Sequence, residues 1–109
     1  MTPASVLREA KALIAQPSQW CQGWWARDAK GGSTGWRSQD ASRFCALGAL
    51  SKAAGDFFPV PESDYLRRAS LELYGTDEID QVNDLREHQD ILQMYDRAIE
   101  LAEVDDYAG

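Results

Sequence analysis

Apolar residues recur along much of the chain at the spacing of one helix face. Val6, Leu7, Ala10, Leu13 and Ile14 follow Thr2-Pro3, a hydroxyl cap with proline at the first helical position, and Pro17 interrupts the run. This spacing predicts a first helix over about 3–16. A second is predicted from a cap at Asp40 or Ser42 to about Ala54, with Gly55 as its stop. Its centre, Phe44-Cys45-Ala46-Leu47-Gly48-Ala49-Leu50, is apolar on every side, which marks a central buried helix. Gly48 disfavours helix there by about 1 kcal/mol relative to alanine, so its expected use is to let another segment approach the backbone.

The later pattern predicts three more helical pieces. Leu66, Ala69, Ser70 and Leu73 mark the inner face of a third helix, capped by Ser63 and ended by Gly75. Thr76 opens a short acidic helical turn over about 77–82, and Asn83-Asp84 reads as a turn and cap. A last helix is predicted over about 88–103, with Ile91, Leu92, Tyr95, Ala98, Ile99 and Ala102 inward and a frayed tail at 105–109. Phe57-Phe58-Pro59-Val60-Pro61 is an extended connector, because each proline turns its predecessor away from helix.

Residues 19–38 break the helical rhythm. All four tryptophans, Trp20, Trp24, Trp25 and Trp36, fall here, around the turn formers Asp28 to Gly35. Aromatic flanks about a glycine-rich loop predict a β-hairpin pairing about 20–27 with 35–38, packed on the helices. The expected fold is therefore mainly α. It is a compact single-domain bundle of four to five helices over 1–109, with a small tryptophan-rich β-hairpin between helices one and two.

Charge adds a second pattern. The net charge of −7 argues against nucleic-acid binding driven by bulk charge. The charge is also unevenly placed. Residues 1–55 carry three acidic and seven basic side chains, and residues 56–109 carry fifteen acidic and four basic. Such a split points to partners. The expected partner-facing residues are Glu72, Asp77, Glu78, Asp80, Glu87, Asp90, Asp96 and Glu100, and the expected partner is a protein with a basic surface. A solvated face that aids solubility is the plainer reading. Electrostatic dimerisation between the two halves is a third.

Candidate chemistry is sparse. Arg8, Glu9 and Lys11 interrupt any signal-peptide core, and no apolar run approaches the roughly 20 residues of a membrane span, so the expected setting is cytoplasmic. Cys21 and Cys45 are then expected as free thiols. With the single His88 and no Cys-x-x-Cys spacing, neither a metal site nor a cofactor is expected. Cys45 with His88, oriented by Asn83 or Asp84, has the residue types of a small cysteine hydrolase or transferase. The apolar neighbours of Cys45 favour an inert buried thiol instead. Trp24 and Trp25 with Arg27, Lys30, Arg37 and Arg43 form an alternative nucleotide or single-strand platform.

Three segments carry a resemblance: Trp20-Cys21-Gln22-Gly23, then Cys45-Ala46-Leu47-Gly48-Ala49-Leu50, then Asn83-Asp84 ahead of Asp96-Arg97-Ala98-Ile99. Together they resemble a family of short bacterial and phage proteins of unknown function, over about residues 5–102. The resemblance implies the helical fold and a bacterial or phage setting, and it implies no mechanism. A non-enzymatic interaction or regulatory protein is the expectation that best combines it with the acidic second half.

Overall fold

The computed structural model describes residues 2–108. Helix α1 spans Pro3–Leu13, and its cap is Thr2, whose hydroxyl accepts from the Ser5 N–H at 3.2 Å. A single 3-10 turn, Pro17–Gln19, leads into a three-stranded antiparallel sheet of β1 (Ala26–Arg27), β2 (Ser33–Thr34) and β3 (Arg43–Phe44), in the order β2-β1-β3. Four helices follow: α2 (Ala46–Ala54), α3 (Ser63–Tyr74), α4 (Ile79–Leu85) and α5 (His88–Ala108). Helix α1 packs on α2 and α5, and α3 packs on α5. The core between them holds Leu7, Ile14, Leu50, Leu66, Ile91, Met94 and Tyr95, all fully buried. Tyr95 satisfies its hydroxyl at the start of α2, donating to the Ala46 carbonyl at 2.6 Å. Among the described residues, no helix is long and apolar enough to cross a membrane.

The mainly helical architecture matches the expectation, and several local features differ. The hairpin pairs Ala26 with Thr34 and Arg27 with Ser33, so its turn is Asp28–Gly32 rather than the longer loop. Asp28 sets that turn by accepting from the Lys30 and Gly32 N–H groups at 2.9 and 2.8 Å. Residues 43–44, expected inside the second helix, form a third strand, and α2 begins only at Ala46. The cap is Cys45, whose sulfur accepts from the Gly48 N–H at 3.3 Å. Leu47, expected in the core, is only half-buried, and Leu73, expected inward on α3, is exposed. Ser63 is the first residue of α3, not its cap. Its hydroxyl accepts from the Val60 N–H at 2.9 Å and so closes the connector instead. Asn83 and Asp84 lie within α4, not in a turn after it. The expected frayed tail is helical through Ala108, and Gly109 lies outside the described residues.

Candidate functional site

The segment before the sheet and the inner side of α4 are held together by a buried polar clasp. Asn83 is its centre and is almost completely buried. Its Oδ1 accepts from Trp20 Nε1 at 2.7 Å and from the Ala46 N–H, one of the free donors at the start of α2, at 3.0 Å. Its Nδ2 donates to the Cys21 carbonyl at 3.1 Å and to Asp84 Oδ1 at 3.2 Å. Gln22 adds an amide that donates to the carbonyls of Asn83, Asp84 and Arg86 at 3.0–3.2 Å, covering the C-terminal end of α4. Gly23, at a φ of 83°, donates its N–H to Asp84 Oδ1 at 2.9 Å. On the other side Gly48 lets α2 lie against the Trp25 backbone, because a Cβ there would stand 2.0 Å from the Trp25 carbonyl oxygen.

This clasp leaves a groove beside it. One lobe, of about 230 Å³, has Trp24, Trp25 and Leu47 as apolar walls, Cys45 and Asn83 at its base, and Asp80 and Asp84 on its rim. A second lobe, of about 250 Å³, shares Leu47 and Asp80 and adds Phe58, Ile79, Arg67, Asp77 and Glu78. Trp24 is 51% exposed, a large apolar surface left open to solvent beside two carboxylates. Asp84 spends one oxygen on Gly23 and Asn83, and Asp80 has no hydrogen-bond or ion-pair partner among the described residues.

The two residues of the expected thiol site do not pair. Cys45 is buried, and that burial pushes its thiol up to about 11, so it is protonated at neutral pH. Cys21 is also buried and free, and its thiol is likewise raised, chiefly by burial. His88 sits at the start of α5 and donates through Nε2 to the Ile14 carbonyl at 2.6 Å, with its ring tilted against Trp20 at 5.5 Å. The imidazole thus ties the end of α1 to the start of α5 and makes no hydrogen bond to Cys45. Among the described residues, no group of three His, Cys, Asp or Glu side chains is placed to hold a metal ion.

The tryptophans have separate tasks. Trp36 is buried under Arg37 and Phe57, with the guanidinium 4.7 Å from both rings. Trp20 is committed to Asn83 and His88. Arg27 is occupied in donating to the carbonyls of Gln22 and Gly31 and to the Ser33 hydroxyl. Of the basic residues expected beside Trp24 and Trp25, Arg27 is thus taken up by backbone carbonyls and Arg37 by Trp36 and Phe57.

The expected acidic residues divide into two sets. Glu72 and Glu100 both meet Arg97, at 2.9 and 3.5 Å, and Asp96 meets Lys11. The Arg97 hydrogen bond holds the Glu72 carboxyl below its ordinary value. The Lys11–Asp96 and Arg8–Glu103 pairs show that part of the charge split is internal, since basic α1 lies against acidic α5. Asp90 caps the start of α5 by accepting from the Glu87 N–H at 3.2 Å. Asp77, Glu78, Asp80 and Glu87 have no ion-pair partner among the described residues, and they surround α4. Sequence reasoning missed Leu47 and Phe58 as groove walls, and it named Trp24 and Asp84 for other roles.

Comparison with curated proteins and with solved structures finds no match. A family model does match, over residues 1–101, and it takes in all three parts of the clasp: the chain belongs to the family of unknown function DUF6197.

Proposed function

We propose that this is a non-enzymatic interaction protein that docks a protein with a basic surface through the acidic rim around α4, in the cytoplasm of a bacterium or in a phage setting. The observation that carries this reading is the division of the acidic residues. Glu72, Asp96 and Glu100 are met by the protein's own Arg97 and Lys11, whereas Asp77, Glu78, Asp80 and Glu87 are exposed and without ion-pair partners among the described residues. Like charges gathered without direct ion pairs repel one another in the free protein, and a basic partner relieves that repulsion. Solubility alone is served by acidic residues placed anywhere on the surface.

The test is quantitative capture of partners from a bacterial lysate by the wild type, by a rim variant (Asp77→Asn, Glu78→Gln, Asp80→Asn, Glu87→Gln) and by a flank variant (Glu72→Gln, Glu100→Gln). The expected result is a partner retained by the wild type and the flank variant and lost by the rim variant. Its binding weakens as the Debye length falls from about 10 Å at 0.1 M salt to about 3 Å at 1 M. Equal capture by all three proteins at either salt overturns the reading.

A further inference from the structure

Resting on the docking reading of the α4 rim, we propose that the lobe between Trp24, Trp25 and Asp80 receives an arginine side chain of the partner. Its size sets the first limit. The lobe itself, at about 230 Å³, has room for one long side chain. Its chemistry sets the second. The walls are aromatic and aliphatic, the rim is two carboxylates, and no basic side chain lines it. The base is neutral, a carboxamide and a protonated thiol, and the Asn83 amide is already fully hydrogen-bonded.

A guanidinium matches this combination better than other groups. Its flat face stacks on an indole while its edge donates to carboxylates, and its methylene stem covers apolar wall. The protein places a guanidinium over an aromatic ring several times within itself. Arg37 lies over Trp36 and Phe57, Arg67 over Phe58 at 5.2 Å, and Arg86 over Tyr74 at 4.0 Å. Trp24 is half exposed and has no such cation over it among the described residues. The neighbouring lobe shows the contrast, since Arg67 already lines it beside Asp77, Glu78 and Asp80. An anion is repelled by the rim, and two carboxylates fall short of the oxygen ligands of a calcium site.

The experiment titrates the protein, followed by two-dimensional amide and indole NMR, with the peptide acetyl-Leu-Arg-Leu-Arg-Leu-amide and with its citrulline analogue, which keeps the shape and removes the charge. The expected result is a saturable shift of the Trp24 indole and of the Leu47 and Asp80 amides, with the Trp36 indole unmoved. Citrulline binding should be at least about tenfold weaker, and Asp80→Asn should weaken the arginine peptide by about tenfold, the equivalent of one charged hydrogen bond. Trp24→Ala, a change at an exposed position, should weaken it comparably. Equal binding of both peptides, or shifts confined to α5, overturns the arginine lobe. If the rim variant still loses its partner in capture, the docking reading survives that failure. If the rim variant keeps its partner, both fall. A dimer in sedimentation that Asp80→Asn disperses makes a second copy of this chain the occupant and overturns the assignment to a different partner.

Discussion

The two faces of α4 treat polar groups in opposite ways. Inward, Ile79, Val82 and Asn83 are buried, and Asn83 has a partner for each of its amide atoms, reaching Trp20, Cys21, Ala46 and Asp84. Outward, Asp80 is exposed and has no partner among the described residues, and Asp84 offers its second oxygen to the groove. Asn83 and Asp84 are adjacent in sequence, yet the first is committed to the fold and the second is shared between fold and groove. A buried polar group without partners costs about 1–3 kcal/mol, so the inner face has no freedom left to bind anything. An exposed carboxylate costs little to leave unpaired, and that makes the outer face the one that can serve a partner.

Asn83→Ala is the strongest way to break this contrast. It leaves the Trp20 indole N–H, the Ala46 N–H and the Cys21 carbonyl without their partner, and the lost groups sum to about 3–5 kcal/mol of stability by urea unfolding. This exceeds the range of about 0.5–2 kcal/mol for a simple lost helix cap. A cost below about 1 kcal/mol would show that the clasp is not structural. Gly48→Ala attacks the same clasp from α2. Its Cβ would meet the Trp25 carbonyl at 2.0 Å, and since the obstacle is backbone, the segment before β1 and the helix must separate. The expected cost is about 2–3 kcal/mol, with a loss of near-ultraviolet tryptophan dichroism.

The inner face also ties protonation to folding. Burial raises the Cys45 thiol, so the folded protein holds that proton more tightly than the unfolded chain does. The stability linked to it is fully present below the unfolded value. It is lost as pH rises through the folded value of about 11. The order-of-magnitude loss is about 2 kcal/mol. Unfolding curves of wild type and Cys45→Ala should converge over that alkaline range, and thiol reagents should label native Cys45 slowly at pH 7. Rapid labelling at neutral pH would mean that the thiol is open to the groove.

The sequence makes some of this legible and hides the rest for physical reasons. Helices α1 and α3 carry 3.6-residue patterns bounded by proline or glycine, so pattern alone places them within a few residues, whereas α5, with no such stop, runs five residues past its expected end. The strands are two residues each, too short to show alternation, and the apolar run from Phe44 into α2 conceals the change from strand to helix. Cysteine is an uncommon cap, which moved the expected start of α2 upstream. Asn83 reads as a turn former because its side chain competes locally with the backbone, whereas its actual partner Trp20 lies 63 positions away. The groove assembles Trp24, Leu47 and Asp80 from three separate segments, and no local pattern joins them. The charge split was visible, but its meaning was not, since Arg8 and Lys11 lie against acidic α5 only once the chain is folded.

The smallest change in stability should produce the clearest change in binding. Asp80→Asn removes an exposed charge that touches no partner among the described residues, so stability should move by no more than about 0.5 kcal/mol. Glu72→Gln is its control on the other acidic surface. The folded Glu72 carboxyl is held below its ordinary value by Arg97, so whatever stability it adds is present above the unfolded value and disappears as pH falls through the folded one. Glu72→Gln should therefore flatten the acid limb of the stability curve and leave basic-peptide binding unchanged. Asp80→Asn should leave that limb unchanged and weaken the peptide. If the two variants exchange these effects, the paired flank is the docking surface, and the unpaired carboxylates around α4 serve solubility alone.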